Sequence, residues 1–235
     1  MKKNRLLLLL VFFILSFILV SYASSSNTTN ANTDTSNEDP NATSDGGIVR
    51  GESFLVQADP DNGFYWPYYA YVPQELSSDY VWVCPNNTGF RDDDLEVHKS
   101  WAKWLMDGWS NKADEMGTAM LIPVFPRPVN EVQDSKGTNQ YLGFGAFEEE
   151  AIEYARQDLQ LIQMINDFVQ TLQKVNPSQS NKILMYGASA SGGFVSRFAI
   201  LHPELVQAAA FGAYGWATSP IENHEGNSLP FPYGI

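Results

Sequence analysis

The chain has 235 residues, of which 44% are hydrophobic and 17% charged, a composition that suits one globular domain with a sizeable core. Its formal net charge of −13 argues against nucleic acid as a partner, because the phosphates would be repelled. Cys84 is the only cysteine, so an internal disulfide is excluded and a buried, small apolar role is expected for its side chain.

The N-terminus up to Ala23 has the features of a targeting segment. A basic head precedes an apolar run from Leu6 to Val20. Small residues that fit a signal-peptidase cleavage motif follow this run, and the motif ends at Ala23. A cleaved signal peptide and an uncleaved membrane anchor both remain open, and either predicts a secreted or cell-surface protein. Residues 24–47 are rich in Ser, Asn and Thr, which predicts a disordered linker, compatible with membrane or cell-wall proximity and equally with a passive spacer.

Residues 48–235 form the predicted globular domain, in which strands alternate with helices. Apolar runs predict strands at 54–56, 68–72, 80–84, 119–125, 183–186 and 206–214. Helical spacing predicts helices from 95, from 148 to 175, and after Gly193. The three aspartates at 92–94 favour the start of the first helix over a metal site. This alternation predicts an α/β fold with a mainly parallel sheet and helices on both faces.

The long helix from 148 to 175 is predicted to be amphipathic. The residues expected on its buried face are Ile152, Ala155, Leu159, Ile162, Val169 and Leu172.

The segment from Lys182 to Ala199 carries the strongest chemical signal. An apolar strand runs into a cluster of tiny residues and then into an apolar helix, which leaves room for one exposed side chain at the turn. This pattern, small-x-Ser-x-small, predicts a nucleophile elbow with Ser189 at its apex. The backbone N–H of Ala190 and the following helix dipole would then stabilise an oxyanion.

Two alternatives to this interpretation stay open. Ser191 stands where the usual pattern has glycine, and a register shifted by two residues would make Ser191 the nucleophile. A plain strand-to-helix turn is the other alternative, whereas a phosphate-binding P-loop is excluded because the Gly-Lys-Ser/Thr signature is missing.

Three loops follow parallel strands and should meet at the carboxyl edge of the sheet: 86–89, 126–128 and the elbow. The order of these elements resembles the α/β-hydrolase fold. Three sequence motifs are similar to those of secreted esterase- or depolymerase-type members of this fold. They are Pro-Asn-Asn-Thr-Gly from Pro85, Pro-Val-Phe-Pro-Arg-Pro from Pro123, and Gly-x-Ser-x-Ser-Gly from Gly187. The resemblance covers residues 68–216.

The resemblance implies roles for particular residues. Ser189 would be the nucleophile and Ala190 one oxyanion donor, with a second N–H from the loop at Asn86 or Asn87. Aromatic residues of a later polar loop are candidates for the lining of an acyl pocket, with plain packing as the alternative; they are Tyr141, Phe144 and Phe147. The resemblance implies no cofactor and no metal.

This interpretation leaves the general base unassigned. The fold supplies its acid and histidine after the serine, and His224 is a candidate base because it follows the elbow in a loop at the correct edge. The simpler expectation, to which His224 is the alternative, is that the acid, the histidine and the last strands lie beyond Ile235, so that the domain is incomplete at its C-terminus. In that case the chain alone is expected to be inactive.

The sequence therefore predicts an exported serine hydrolase that cleaves an ester bond of a small molecule or a polymer, with a peptide bond as a further option. A non-catalytic surface protein that uses the same fold to bind a ligand is the alternative from a different functional class.

Overall fold

A computed structural model describes residues 48–86, 91–127, 129, 156–212 and 221–228. The strands are β1 (Ser53–Val56), β2 (Tyr68–Tyr71), β3 (Val81–Val83), β4 (Ala119–Pro123), β5 (Ile183–Ala188), β6 (Val206–Gly212), β7 (Asn223–His224) and β8 (Asn227–Ser228). The helices are α1 (Leu95–Met116), α2 (Gln157–Gln173) and α3 (Ala190–Leu201), and a short 3-10 helix spans Pro60–Asn62.

Six strands form one mixed sheet in the order β1-β2-β4-β3-β5-β6. The first two strands are antiparallel to their neighbours, and β3, β4, β5 and β6 run parallel to one another. The carboxyl ends of these four strands therefore lie at one edge, where α/β sheets place their sites. The short strands β7 and β8 pair with each other in a separate hairpin.

Helices cover both faces of the sheet, as the sequence predicts. Along β4, Ala119 and Leu121 pack into one core layer, while Met120 and Ile122 pack into the other. The first layer contains the apolar faces of α2 and α3, and the second contains that of α1. The period-two alternation of strand side chains produces this division. Cys84 is buried in the second layer, which confirms the role expected for it.

Two details of the predicted helices are wrong. Helix α2 begins at Gln157, because Arg156 has a φ of 46°, which is incompatible with an α-helix, so the predicted continuous helix through Arg156 is wrong. The predicted start at residue 148 lies outside the described residues. Leu159 is 40% exposed, whereas the buried face of α2 consists mainly of Leu161, Met164, Ile165, Phe168, Val169 and Leu172. Ile152 and Ala155 lie outside the described residues.

The predicted division of the chain at residues 23 and 47 also lies outside the described residues and stays a prediction. Among the residues that the structure describes, no helix combines the length and the apolar character needed to cross a bilayer.

A buried ion cluster joins the start of α2 to the end of α3. The carboxylate of Asp158, which is 1% exposed, accepts hydrogen bonds from Arg156 Nε and Nη2 at 3.1 Å each. His202 Nε2 lies 2.8 Å from Asp158 Oδ2. Burial alone would raise the pKa of Asp158, but the hydrogen bonds and charges of His202 and Arg156 outweigh it and lower this pKa below 3.8.

This cluster predicts a defined dependence of stability on pH. Because the pKa of Asp158 is lower in the folded state, its carboxylate stabilises the fold above the unfolded pKa of about 3.9 and loses that effect as the pH falls further. Asp158→Asn is expected to lower the free energy of unfolding by roughly 3 kcal/mol at pH 7 and by less at pH 3. Urea denaturation at both pH values measures the difference.

The matched control is Asp107→Asn, because Asp107 pairs with Lys103 on the exposed surface of α1. A surface pair is screened by solvent, so this variant should resemble the wild type at both pH values. Equal losses for Asp158→Asn at pH 7 and pH 3 would contradict the assignment of the effect to the ionised carboxylate.

Candidate active site

The turn between β5 and α3 has a strained backbone at Ser189. This residue has a φ of 58° and a ψ of −125°, a combination that glycine adopts easily and other residues rarely. Such a conformation costs about 1–3 kcal/mol and persists only where the surrounding structure imposes it. The chain therefore turns sharply from strand to helix at Ser189, as the sequence predicts for the apex of the elbow.

Glycines on both sides of Ser189 make this turn sterically possible. A Cβ at Gly187 would lie 2.4 Å from the carbonyl oxygen of Ser191, and one at Gly192 would lie 2.5 Å from the carbonyl oxygen of Gly212. Both obstacles are backbone atoms, which cannot move aside as a flexible side chain can. The tiny residues are therefore required by the close approach of strand and helix.

The two serines of the motif have different environments. Ser189 is exposed, and although it occupies the N-cap position of α3, its side chain makes no capping hydrogen bond. Ser191 is 4% exposed, and its hydroxyl is hydrogen-bonded to the backbone of Ala188. In this turn, the uncommitted hydroxyl therefore belongs to Ser189.

Backbone hydrogen bonds fix Ser189 from both sides. Its N–H donates to the carbonyl oxygen of Gly212 at 2.9 Å, and its carbonyl accepts from the N–H of Gly193 at 3.1 Å. Ala190 is the first residue of α3, so its N–H has no acceptor within the helix. That N–H and the positive end of the helix dipole are consequently next to the Ser189 side chain.

The chain after β3 reaches the same edge of the sheet, since β3 lies between β4 and β5. Asn86 is fully buried, and its amide pairs with both backbone groups of Phe125. Its Nδ2 donates to the Phe125 carbonyl at 2.9 Å, and its Oδ1 accepts from the Phe125 N–H at 3.0 Å. The Asn86 side chain thus continues the pairing of β3 with β4 beyond the strands.

Removal of this amide is expected to destabilise the fold. Asn86→Ala would leave the N–H and the carbonyl of Phe125 buried without these partners, at a cost of about 2–4 kcal/mol. Urea denaturation at neutral pH measures this loss. Asn62→Ala is the control, since Asn62 makes its hydrogen bonds at an exposed turn, and an equally large loss in that variant would contradict the explanation.

The structure places the three histidines in three different settings. His98 is fully buried on α1, with Nε2 2.9 Å from the carbonyl oxygen of Asp92 and 3.2 Å from the backbone nitrogen of Arg127. His202 ends α3 beside Asp158. His224 lies in the β7–β8 hairpin, where its side chain is 64% exposed and 3.9 Å from Glu225. Within the described ranges, none of them is hydrogen-bonded to the Ser189 hydroxyl.

The remaining predicted site residues are outside the described part of the chain. These are Asn87 in the loop after β3 and the candidate pocket residues Tyr141, Phe144 and Phe147. Within the described ranges, no group of three or more His, Cys, Asp or Glu side chains could hold a metal ion.

The sequence interpretation did not identify two contributors to the turn. These are the carbonyl of Gly212 at the end of β6 and the hydroxyl of Ser191. Neither could be recognised from local spacing. The first acts through a strand that is distant in sequence, and the second acts through a side chain where the motif requires only a small residue.

The fold and the elbow together define a class of protein. A mixed sheet whose antiparallel strands precede four parallel ones, with a strained serine after the third parallel strand, is the α/β-hydrolase architecture.

No protein-family model and no curated protein sequence matches the chain. Among solved structures, it is similar to poly(aspartic acid) hydrolase-1 from Sphingomonas sp. KT-1, with 20% identity, a TM-score of 0.48, and coverage of 80% of this chain and 63% of that chain. A poly(3-hydroxybutyrate) depolymerase from Bordetella parapertussis has 18% identity, a TM-score of 0.45, and coverage of 81% and 58%. An acetyl xylan esterase from Aspergillus awamori has 15% identity, a TM-score of 0.44, and coverage of 69% and 52%. The chain thus spans between about half and two thirds of these structures.

Proposed function

We propose that this protein is an ester hydrolase that transfers the acyl group of its substrate to Ser189. The backbone of Ser189 carries the proposal: its φ of 58° and ψ of −125° leave the side chain exposed and uncapped at the first turn of α3. An N-cap serine normally binds a backbone N–H of its own helix. A hydroxyl that is kept from this bond at an energetic cost is suited to act as a nucleophile.

The proposed reaction uses the groups around the turn. The Ser189 oxygen attacks the ester carbonyl, and a general base accepts the serine proton. The negative charge that develops on the carbonyl oxygen is stabilised by the Ala190 N–H, the dipole of α3, and an N–H from the loop at Asn86 or Asn87. The alcohol then leaves with a proton, and water hydrolyses the acyl-enzyme to release the acid and regenerate Ser189.

The base and the substrate are further parts of the proposal. His224 is the candidate base among the described residues, because His98 and His202 are engaged in buried contacts. Because Ser189 is exposed at the edge of the sheet, we propose that the substrate is a small-molecule or polymer ester.

Covalent labelling tests the proposal directly. The purified protein is incubated with a fluorophosphonate probe, digested, and analysed by mass spectrometry, and the adduct is expected on the oxygen of Ser189. Parallel assays with p-nitrophenyl esters and with a matched anilide distinguish ester from amide cleavage. An adduct on Ser191 would show that the motif is displaced by two residues. The complete absence of an adduct would favour a non-catalytic binding protein.

We also propose that the protein is exported through its N-terminal segment. The mature protein is expected to begin at Ser24, because Ser21 and Ala23 fit the small-residue requirement of a signal peptidase. N-terminal sequencing of protein recovered from the medium measures this. An intact Met1 in the membrane fraction would instead show an uncleaved anchor.

A further inference from the structure

The hydroxyl of Ser191 binds both backbone groups of Ala188, the last residue of β5. It donates to the carbonyl oxygen of Ala188 at 2.9 Å and accepts from the N–H of Ala188 at 3.0 Å. One hydroxyl can make both bonds, because it has one proton and two lone pairs. Ser191 is 4% exposed, so water has little access to replace these bonds.

Packing alone does not require this hydroxyl. The atoms nearest to a Cβ at Gly187 would be main-chain atoms of Ser191 and Gly192, not the side chain of Ser191. A residue without an oxygen at position 191 would therefore keep the helix against the strand. It would lose the two bonds to Ala188.

Those bonds matter because of the peptide plane to which they connect. The carbonyl of Ala188 and the N–H of Ser189 belong to the same planar peptide unit. Ser191 binds this unit at its oxygen, and the carbonyl of Gly212 binds it at its N–H, at 2.9 Å. The orientation of this plane relative to Cα defines the φ of Ser189, while the bond from Gly193 fixes the plane on the other side.

We propose that Ser191 is a positioning residue that holds Ser189 in its strained conformation and thereby sets the position of the nucleophilic oxygen. The inference rests on the proposed role of Ser189. Without the Ser191 hydroxyl, the peptide before Ser189 loses the hydrogen bond that Ser191 makes to its carbonyl oxygen. It can then rotate towards a less strained φ, which moves the Ser189 hydroxyl away from the Ala190 N–H. Ser191 touches no reacting atom and acts only through the backbone.

The test compares Ser191→Ala with the wild type in the kinetics of fluorophosphonate labelling. Ser191→Ala is expected to lower the limiting rate of inactivation by about ten- to a hundredfold, because small displacements of a nucleophile have effects of this size. The concentration for half-maximal inactivation should change by less than about threefold, since the surface that binds the probe is intact. At long incubation the adduct should still form on Ser189.

Ser196→Ala is the matched control, because Ser196 is also a buried serine of α3, at 3% exposed. Both labelling constants should stay within about twofold of the wild type in this variant. Thermal unfolding of each variant reports any general loss of structure. Ser191→Gly provides a second deletion of the hydroxyl, and it should be slowed in the same way.

A wild-type rate of labelling in Ser191→Ala and Ser191→Gly would overturn the inference and leave the proposed function intact. An equal slowing in Ser196→Ala would overturn it as well, because the effect would then belong to α3 in general. A wild-type protein that is not labelled at all would refute the proposed function, and the inference with it.

Discussion

Replacement of Ser189 by alanine is expected to lower ester hydrolysis at least about a thousandfold and to abolish labelling by fluorophosphonates. In the proposed mechanism, the substitution removes the atom that forms the acyl-enzyme, and binding and oxyanion stabilisation account for the residual rate. The backbone conformation at this position is fixed by neighbours that the substitution leaves unchanged, namely Gly193 and Gly212. Hydrolysis of a p-nitrophenyl ester by the purified variant measures the loss.

A second substitution at the same position separates chemistry from stability. Glycine adopts a φ of 58° without the strain that a side chain imposes, so Ser189→Gly should also be inactive. Its free energy of unfolding, however, should be higher than that of Ser189→Ala by about 1 kcal/mol. Activity of either variant near the wild-type level would exclude Ser189 as the nucleophile.

The second large effect is expected at Gly192, where α3 approaches the end of β6. The Cβ of an alanine there would lie 2.5 Å from the Gly212 carbonyl oxygen and 3.1 Å from the Gly187 carbonyl oxygen. The first contact is too short and the second is tight, and both are with backbone atoms, so α3 would have to move away from the sheet. Gly192→Ala is expected to lower the free energy of unfolding by about 3 kcal/mol or more and to abolish labelling of Ser189.

Gly108 provides the matched control, because it is a helical glycine with nothing within 4 Å of the position that a Cβ would occupy. Gly108→Ala should raise the free energy of unfolding by about 0.5–1 kcal/mol through helix propensity alone. The same substitution thus has opposite signs at two helical sites, and urea denaturation measures both. A neutral or stabilising Gly192→Ala would show that α3 does not lie this close to β6.

Much of the elbow could be predicted from the sequence because its requirements are local. A strand that turns into a helix within a few residues needs tiny side chains at defined spacings, and the segment from Gly187 to Gly193 contains them in consecutive positions. The strands followed from short apolar runs bounded by prolines and turn residues. The burial of helices on both sides followed from the alternation of these runs with helical patterns.

The order of the strands was decided only by the tertiary structure, because pairing depends on how strands distant in sequence bury one another. Nothing in the local sequence places β3 between β4 and β5, and this placement brings Asn86 to Phe125 and to the edge that carries the elbow. The start of α2 was also decided by the tertiary structure. The helical spacing in the sequence continues through Arg156, but Arg156 has a φ of 46° and α2 begins after it, beside the ion cluster at Asp158.

The sequence also did not decide which of the two serines is exposed and which is buried. A hydroxyl at position 189 and one at position 191 satisfy the same small-residue pattern, so both remained candidates for the nucleophile. Their difference arises from the folded backbone, in which Ser189 has a positive φ and is exposed, while Ser191 is buried against Ala188. The local sequence determined that a strained turn forms here. The packing of α3 against β5 and β6 decided which serine stays exposed, because the positive φ depends on hydrogen bonds that only the assembled sheet provides.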